Sequence, residues 1–178
     1  MAKRFLITTI AIIMIAFTGF TQEVKVKWYS IEEALELNKQ NQKKIFIDVY
    51  TDWCGWCKKM DAGTFSDPAI AHILNTEYYA VKLNAETRDT LYFGGRQFIN
   101  EGTNGRSPHQ LAIALLQGRM SYPSVAYLNE ENQLLTAVPG YMTPEGIEPI
   151  LMFFADDAYK NQSFEDFTKQ FVSKIKSQ

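Results

Sequence analysis

The spacing of apolar and polar residues along the chain predicts alternating helices and strands. Apolar residues recur at helical spacing after Ser30, whose capping-box partner Glu33 follows three positions later, so a first helix is predicted over 30–42. The run "KIFIDVYT" is continuously apolar apart from one acid, which is typical of a central strand buried on both faces. The run "YYAVKL" over 78–83 predicts a second strand of the same kind.

The remaining segments predict more helices and two hairpins, which together indicate a layered α/β domain. Ser66 and Pro68 predict a helix start, Gly94-Gly95 predicts a tight hairpin, and Ser107 to Gly118 predicts a helix. Two strands are expected around Asn129 to Asn132, followed by a helix capped by Thr143. A last helix is expected over 163–176, with Phe164, Phe167, Phe171 and Ile175 on one face.

The first residues have the pattern of a cleavable signal peptide. Lys3 and Arg4 precede an apolar run over 5–17, and the small residues Gly19 and Thr21 stand before a cut at Gln22. Because this run is shorter than the roughly 20 residues that span a bilayer, cleavage is expected rather than stable membrane insertion. We therefore expect a signal peptide over 1–21 and a mature, periplasmic or secreted domain over 22–178. The formal charge of -2, without a basic stripe, gives no indication of nucleic-acid binding.

Both cysteines of the chain, Cys54 and Cys57, stand in "TDWCGWCKKM". A zinc site needs about four ligands, and the two histidines, His72 and His109, are far from the pair and from each other. A haem-attachment motif requires histidine directly after the second cysteine, where this chain has Lys58. As a structural crosslink, so short a loop would contribute only roughly 2 kcal/mol. The pair is therefore predicted to be a redox couple, with no further cofactor.

The roles of the two cysteines follow from their place at the start of a helix. Cys54 lies where the strand passes into the helix, so the partial positive charge of the helix N-terminus favours its thiolate. Cys57 lies one turn inside. We therefore predict that Cys54 is the accessible nucleophile and that Cys57 is the resolving thiol.

Three segments resemble the thioredoxin superfamily: "FIDVYTDWCGWCK", "SYPSVAYL" and "VPGYMTPEGIEPIL". The resemblance implies a central mixed sheet flanked by helices, with a hairpin and a helix inserted over about 87–119. It implies that Asp48 is the buried acid that handles the proton of the second cysteine. It also implies that Pro123 is cis and faces the cysteines, and that the backbone of Tyr122 pairs with a substrate strand.

Within this superfamily, "YTDWCGWCKKMDAGTFSDPAI" resembles in particular the periplasmic C-terminal domain of the transmembrane disulfide reductase DsbD. Here Gly55-Trp56 stands between the cysteines where thioredoxin has Gly-Pro, so thioredoxin's reducing strength cannot be carried over. No electron-transporting membrane part is expected on this chain, so a reductant, where the protein uses one, is expected to be a separate membrane-bound or soluble partner. The insertion either recognises a partner or extends the sheet edge.

These observations favour an exported oxidoreductase that reduces disulfides of client proteins, whose thiols and disulfides are its substrates. The predicted substrate contacts are Trp53, Gly55, Trp56, Tyr122 and Pro123, with Trp56 more exposed than Trp53. The alternatives are a disulfide oxidase or isomerase, and a non-catalytic, chaperone-like module that binds clients through its aromatic residues.

Overall fold

The computed structural model describes residues 24–175, and the predicted signal peptide lies outside the described residues. The described chain has seven strands: β1 (Trp28–Tyr29), β2 (Lys44–Tyr50), β3 (Tyr78–Asn84), β4 (Leu91–Phe93), β5 (Arg96–Phe98), β6 (Ser124–Leu128) and β7 (Leu134–Pro139). It has six α-helices: α1 (Ile31–Gln40), α2 (Gly55–Ala62), α3 (Pro68–Glu77), α4 (Gln110–Leu115), α5 (Pro144–Ala155) and α6 (Phe164–Gln170).

Five strands form one mixed sheet in the order β1-β3-β2-β6-β7. Strands β1, β3 and β2 run parallel, β6 runs antiparallel to β2, and β7 runs antiparallel to β6. The predicted α/β architecture is therefore confirmed. Strand β1 was not predicted, because two residues are too few to show an alternation of apolar and polar positions.

The side chains of β2 alternate between two apolar clusters, one on each face of the sheet. Ile45, Ile47 and Val49 pack in the cluster that includes residues of α1 and α4. Phe46 packs in the other, which includes residues of α2, α3 and α5. Because successive side chains of a strand point to opposite faces, Asp48 lies on the same face as Phe46, the face covered by α2. The strand's period thus directs a carboxyl towards the helix that carries the cysteine pair.

Two predicted helix starts are wrong by one or two residues. The cap of α3 is Asp67, whose carboxylate accepts the N–H groups of Ala69 and Ile70, whereas the Ser66 hydroxyl donates to the Asp61 carbonyl. The cap of α4 is the buried His109, not Ser107. Each error has the same cause, since a neighbouring side chain supplied a better acceptor for the first free N–H groups.

The last helix is shorter than predicted, because α6 ends at Gln170. At Phe171 the backbone is extended, and the described chain after it is not helical. The buried carboxylate of Glu148 accepts the Ser173 hydroxyl and the Lys174 N–H, the latter at 2.8 Å. These tertiary bonds outweigh the helical periodicity of the segment. Within α6, Phe164 and Phe167 pack against Phe153, with ring centroids 5.3 Å apart in each pair.

The insertion forms the predicted hairpin and helix. Strands β4 and β5 pair with each other through a turn at Gly94 and Gly95, both of which have positive φ. They form a separate two-stranded sheet, so the insertion does not extend the edge of the central sheet. Across the described part of the chain, every helix is too short or too polar to cross a bilayer.

Candidate functional site

The two cysteines lie at the N-terminus of α2 and are joined by a disulfide. Cys54 is the N-cap residue, and its Sγ accepts the Cys57 N–H at 3.0 Å. The Cα atoms of the pair are 5.3 Å apart, which is within the normal range for a disulfide. A thiolate at Cys54 would therefore receive an amide hydrogen bond and the positive end of the helix dipole.

Both sulfur-bearing residues are largely covered in this disulfide form. Cys54 is 5% exposed and Cys57 is 3% exposed, so the predicted accessibility of Cys54 is wrong for this state. The reason is that its sulfur is bonded to Cys57 and turned towards the first amides of α2. The surface around the pair belongs instead to Trp53 and Trp56, which are 52% and 57% exposed. Trp56 is therefore only slightly more exposed than Trp53, although a clearer difference in exposure was expected.

Asp48 is 1% exposed and lies on β2 beside Lys82 of β3, its partner in register. The Lys82 Nζ is 2.8 Å from Asp48 Oδ2 and also contacts the carboxylate of Asp61 on α2. Asp48 Oδ1 has no hydrogen-bond partner among the described residues. One ammonium thus joins a buried carboxylate on the central strand to a more exposed one on the helix of the cysteines.

Burial controls the acidity of this group. Loss of hydration raises the pKa of Asp48 from 3.8 to about 6, because the nearby Lys82 offsets only part of the effect. Burial alone would lower the pKa of Lys82, but Asp48 and Asp61 together raise it. Asp48 can therefore gain and lose a proton close to neutral pH while Lys82 stays charged.

The peptide bond between Tyr122 and Pro123 is cis, as predicted. Strand β6 follows directly, and its register pairs Ser124 with Val49, near the end of β2. The antiparallel pairing therefore brings Pro123 level with the last residue of β2, close to the loop that leads to Cys54. The rings of Tyr122 and Trp53 meet edge to face with centroids 6.0 Å apart.

Two aromatic groups flank the cysteines, one around each tryptophan. Trp53 donates its Nε1–H to the Glu86 carboxylate at 2.9 Å, and the guanidinium of Arg106 lies 5.3 Å from its ring. On the other side, Trp56 packs on Tyr141 with centroids 5.2 Å apart, and the Lys59 ammonium lies 4.7 Å from its ring.

Gly55, the first residue of α2, is exposed, and a Cβ there would have no heavy atom within 4 Å. The structure therefore brings Gly55, the two tryptophans and Tyr122-Pro123 to the surroundings of the disulfide.

Sequence reasoning missed Lys82, Asp61, Arg106 and Tyr141. Lys82 had a usable signal, because it is the single charged residue of a buried strand and such a lysine requires a partner. Placing β3 beside β2 would have paired it with Asp48. Asp61 also had a local signal, because it lies on α2 four residues after Cys57. Arg106 and Tyr141 approach the site only through tertiary folding, so no local pattern marked them.

The two histidines lie away from this chemistry. His72 is exposed on α3, and His109 is a buried helix cap. Among the described residues, no cluster of three or more histidines, cysteines or carboxylates could hold a metal ion.

Comparison with known proteins identifies short similar regions within much longer relatives. An uncharacterized protein of Caenorhabditis elegans is 38% identical over 71 residues, which are 38% of this chain and 10% of that protein. The thiol:disulfide interchange protein DsbD of Vibrio vulnificus is 44% identical over 41 residues, which are 23% of this chain and 7% of that protein. The matched regions thus span about a tenth or less of these relatives.

Solved structures share the fold at low sequence identity. A structure named "DsbH Oxidoreductase" has a TM-score of 0.51 and 19% identity, covering 78% of this chain and 87% of the other. A thioredoxin-fold protein from Helicobacter pylori has a TM-score of 0.56 and 17% identity, covering 73% and 80%. A thioredoxin from Thermus thermophilus has a TM-score of 0.54 and 16% identity, covering 73% and 87%.

The family named Thioredox_DsbH, described as "Protein of unknown function, DUF255", matches residues 17–148. The chain belongs to this family and has the fold of the thioredoxin superfamily.

Proposed function

We propose that this family member is an exported thiol–disulfide oxidoreductase that reduces disulfides in client proteins. The observation that carries the proposal is the Cys54–Cys57 disulfide at the N-terminus of α2, with Cys54 Sγ bonded to an amide N–H. A helix N-terminus stabilises the thiolate that attacks a client disulfide. The similarity over 41 residues to the thiol:disulfide interchange protein DsbD supports thiol–disulfide exchange. The reducing direction is proposed from the resemblance of residues 50–70 to the C-terminal domain of that disulfide reductase.

The reaction proceeds by two exchanges. The Cys54 thiolate attacks one sulfur of the client disulfide, forming a mixed disulfide and releasing the other client sulfur as a thiolate. The Cys57 thiolate then attacks Cys54 Sγ, which closes the Cys54–Cys57 disulfide and releases the second client thiolate. Two electrons pass from the pair to the client. A separate dithiol protein, soluble or membrane-bound, must return them.

Asp48 would accept the proton that Cys57 loses before the second exchange. Its carboxyl lies on the face of β2 that α2 covers, and one of its oxygens has no hydrogen-bond partner within residues 24–175. Its pKa of about 6 leaves it ionised at neutral pH. The ion pair with Lys82 holds that carboxylate in place. Asp48 thus has the protonation state that a base requires.

Clients would bind across the aromatic surface around the disulfide. Trp53, Gly55 and Trp56 present exposed surface beside the pair, and Tyr122-Pro123 borders it. Exposed aromatic side chains provide contact area at interfaces. The Tyr122 backbone would align an extended client segment with the sulfur of Cys54. The signal-peptide pattern of residues 1–21 supports export of the protein.

The proposal is tested with insulin as the disulfide substrate and dithiothreitol as the electron source. We expect the wild-type protein to accelerate insulin reduction, and Cys57→Ser to accumulate a covalent adduct through Cys54 that dithiothreitol releases. Cys54→Ser is the matched control, which should give neither turnover nor adduct. If Cys54→Ser still binds unfolded clients as wild type does, while no variant reduces insulin or forms adducts, the chaperone-like alternative replaces this one.

The direction of electron flow is tested separately. The measured quantity is the reduction potential of the Cys54–Cys57 couple. A reduction potential well below that of the glutathione couple supports a reductase, whereas one near that of a strong oxidant contradicts it.

A further inference from the structure

A loop of the insertion, residues 100–107, is built around the guanidinium of Arg88. The Arg88 Nη1 donates to the Asn100 carbonyl at 3.3 Å, to the Asn100 side-chain oxygen at 3.1 Å and to the Gly102 carbonyl at 2.5 Å. Its Nη2 donates to the Asn104 carbonyl. A single exposed arginine therefore satisfies several acceptors that would otherwise leave the loop without fixed shape.

The loop is closed by further bonds and by a close approach. The Asn100 amide donates to the Ser107 carbonyl at 2.7 Å and to the Thr87 carbonyl at 3.1 Å, which ties the loop to the segment after β3. A Cβ on Gly102 would lie 1.8 Å from the Cβ of Ser107, so only glycine fits there. The 100–107 loop is thus held in one conformation close to the residues that follow β3.

This loop carries Arg106 to the rim of the disulfide site. The exposed guanidinium lies 5.3 Å from the ring of Trp53, the residue before Cys54. Among the described residues, it has no carboxylate or carbonyl partner, in contrast to Arg88. A guanidinium stacked on an indole keeps its planar set of N–H donors free for a ligand.

Charges of both signs lie around the pair, but the hydrogen-bond donors available to a ligand belong to the cations. The carboxylates of Glu86 and Asp52 are already hydrogen-bonded, to Trp53 and Asn84 respectively. The cations are less engaged, since Lys59 stacks on the aromatic rings of the opposite flank as Arg106 stacks on Trp53. The available donors on both sides of the disulfide are therefore positive.

We propose that Arg106, stacked on Trp53, recognises an acidic residue beside the reacting cysteine of a client protein. This rests on the proposed function and names the class of client segment that the site prefers. A carboxylate accepts two parallel bonds from a guanidinium, which would hold the client sulfur near Cys54. The insertion is then a substrate-recognition element supplied to the thioredoxin fold.

The test uses short peptides whose cysteine is protected as a 2-pyridyl disulfide and flanked by Glu, Gln or Lys. When the reduced protein attacks the peptide sulfur, pyridine-2-thione leaves and its absorbance gives the rate; Cys57 then releases the peptide thiol. We expect the Glu peptide to react about three to ten times faster than the Gln peptide at low salt, and the Lys peptide to react slowest. The ratio should approach one at about 0.5 M salt.

Arg106→Gln should remove the preference for Glu, and Arg106→Lys should retain part of it. Arg96→Gln is the matched control, because Arg96 is an exposed arginine of the same insertion that stacks on Phe98, 5.8 Å away, and lies outside the site. It should keep the wild-type preference. Equal rates for the Glu and Gln peptides with the wild type would overturn the inference while leaving the redox function intact. Equal slowing of all peptides by Arg106→Gln would also overturn it, and no thione release from any peptide would overturn both proposals.

Discussion

Replacing Asp48 with Asn removes a buried negative charge and keeps the shape of the side chain. The folded-state pKa of Asp48 is about 6 and its ordinary value is 3.8. At 1.36 kcal/mol per pH unit, the ionised carboxylate makes the folded protein about 3 kcal/mol less stable than its protonated form does. Asn resembles the protonated form, so Asp48→Asn should raise the free energy of unfolding by about this amount at pH 8.

The pH dependence fixes the sign of the effect. Between pH 3.8 and about 6, the unfolded chain ionises at Asp48 before the folded protein does, so wild-type stability falls as the pH rises through this window. Above this pH window the difference in stability between Asp48→Asn and wild type is constant, and below the window this difference disappears. The gain from Asp48→Asn should therefore shrink to less than about 1 kcal/mol at pH 4.

Urea unfolding of the oxidised proteins, followed by circular dichroism, measures this difference. With a slope of about 2 kcal/mol/M, the midpoint at pH 8 should rise by about 1.5 M. Asp61→Asn is the matched control, because Asp61 binds the same Lys82 ammonium but is 44% exposed, so the change should be within about 1 kcal/mol and not stabilising. An Asp48→Asn protein no more stable than wild type at pH 8, or equally stabilised at both pH values, would refute the reasoning.

Three other predictions concern the residues around this site and the core. Lys82→Met removes the positive charge beside Asp48, so the pKa of Asp48 should rise further and the pH profile of insulin reduction should move to higher pH. An unchanged profile would show that the Asp48–Lys82 ion pair does not determine the pH dependence of the reaction. Tyr127→Phe removes a buried hydroxyl that has no partner among the described residues, so it should leave the melting temperature unchanged or raise it. Tyr78→Phe removes a hydroxyl that donates to a backbone carbonyl at 2.5 Å, so it should lower the free energy of unfolding by about 1 kcal/mol, measured by thermal unfolding. Gly102→Ala should disorder the 100–107 loop, seen as faster amide exchange there, and should reduce the preference for acidic peptides as Arg106→Gln does; unchanged exchange would contradict the close packing at this position.

The central part of the fold could be predicted because its signals are local. A continuous apolar run gave β2, a capping box gave α1, and a Pro-led start gave α5. The two cysteines lie at the start of a helix that directly follows β2, so their position at a helix N-terminus was also visible in the sequence. The relation of Asp48 to the cysteines came from the resemblance to a known superfamily. Resemblance to a known superfamily added the position of Tyr122-Pro123, which lies far along the chain.

What could not be predicted depends on contacts between distant segments. The end of α6 is set by the buried Glu148, which binds the residues that would have continued the helix. Arg106 becomes part of the site only when Arg88 folds its loop. Lys82 is different, because its charge within a buried strand was a usable signal once β3 was placed beside β2. Helical periodicity and motif spacing describe neighbours along the chain, so they gave no information about these contacts.

The central claim is that Cys54 is a thiolate nucleophile at a helix N-terminus. It is tested most directly by the rate at which iodoacetamide alkylates each cysteine of the reduced protein as a function of pH, with the modified residue identified by mass spectrometry. The account predicts that Cys54 reacts first and reaches half its maximal rate well below pH 8.5, the ordinary pKa of a thiol. Preferential alkylation of Cys57, or a midpoint for Cys54 at or above that pH, would contradict it.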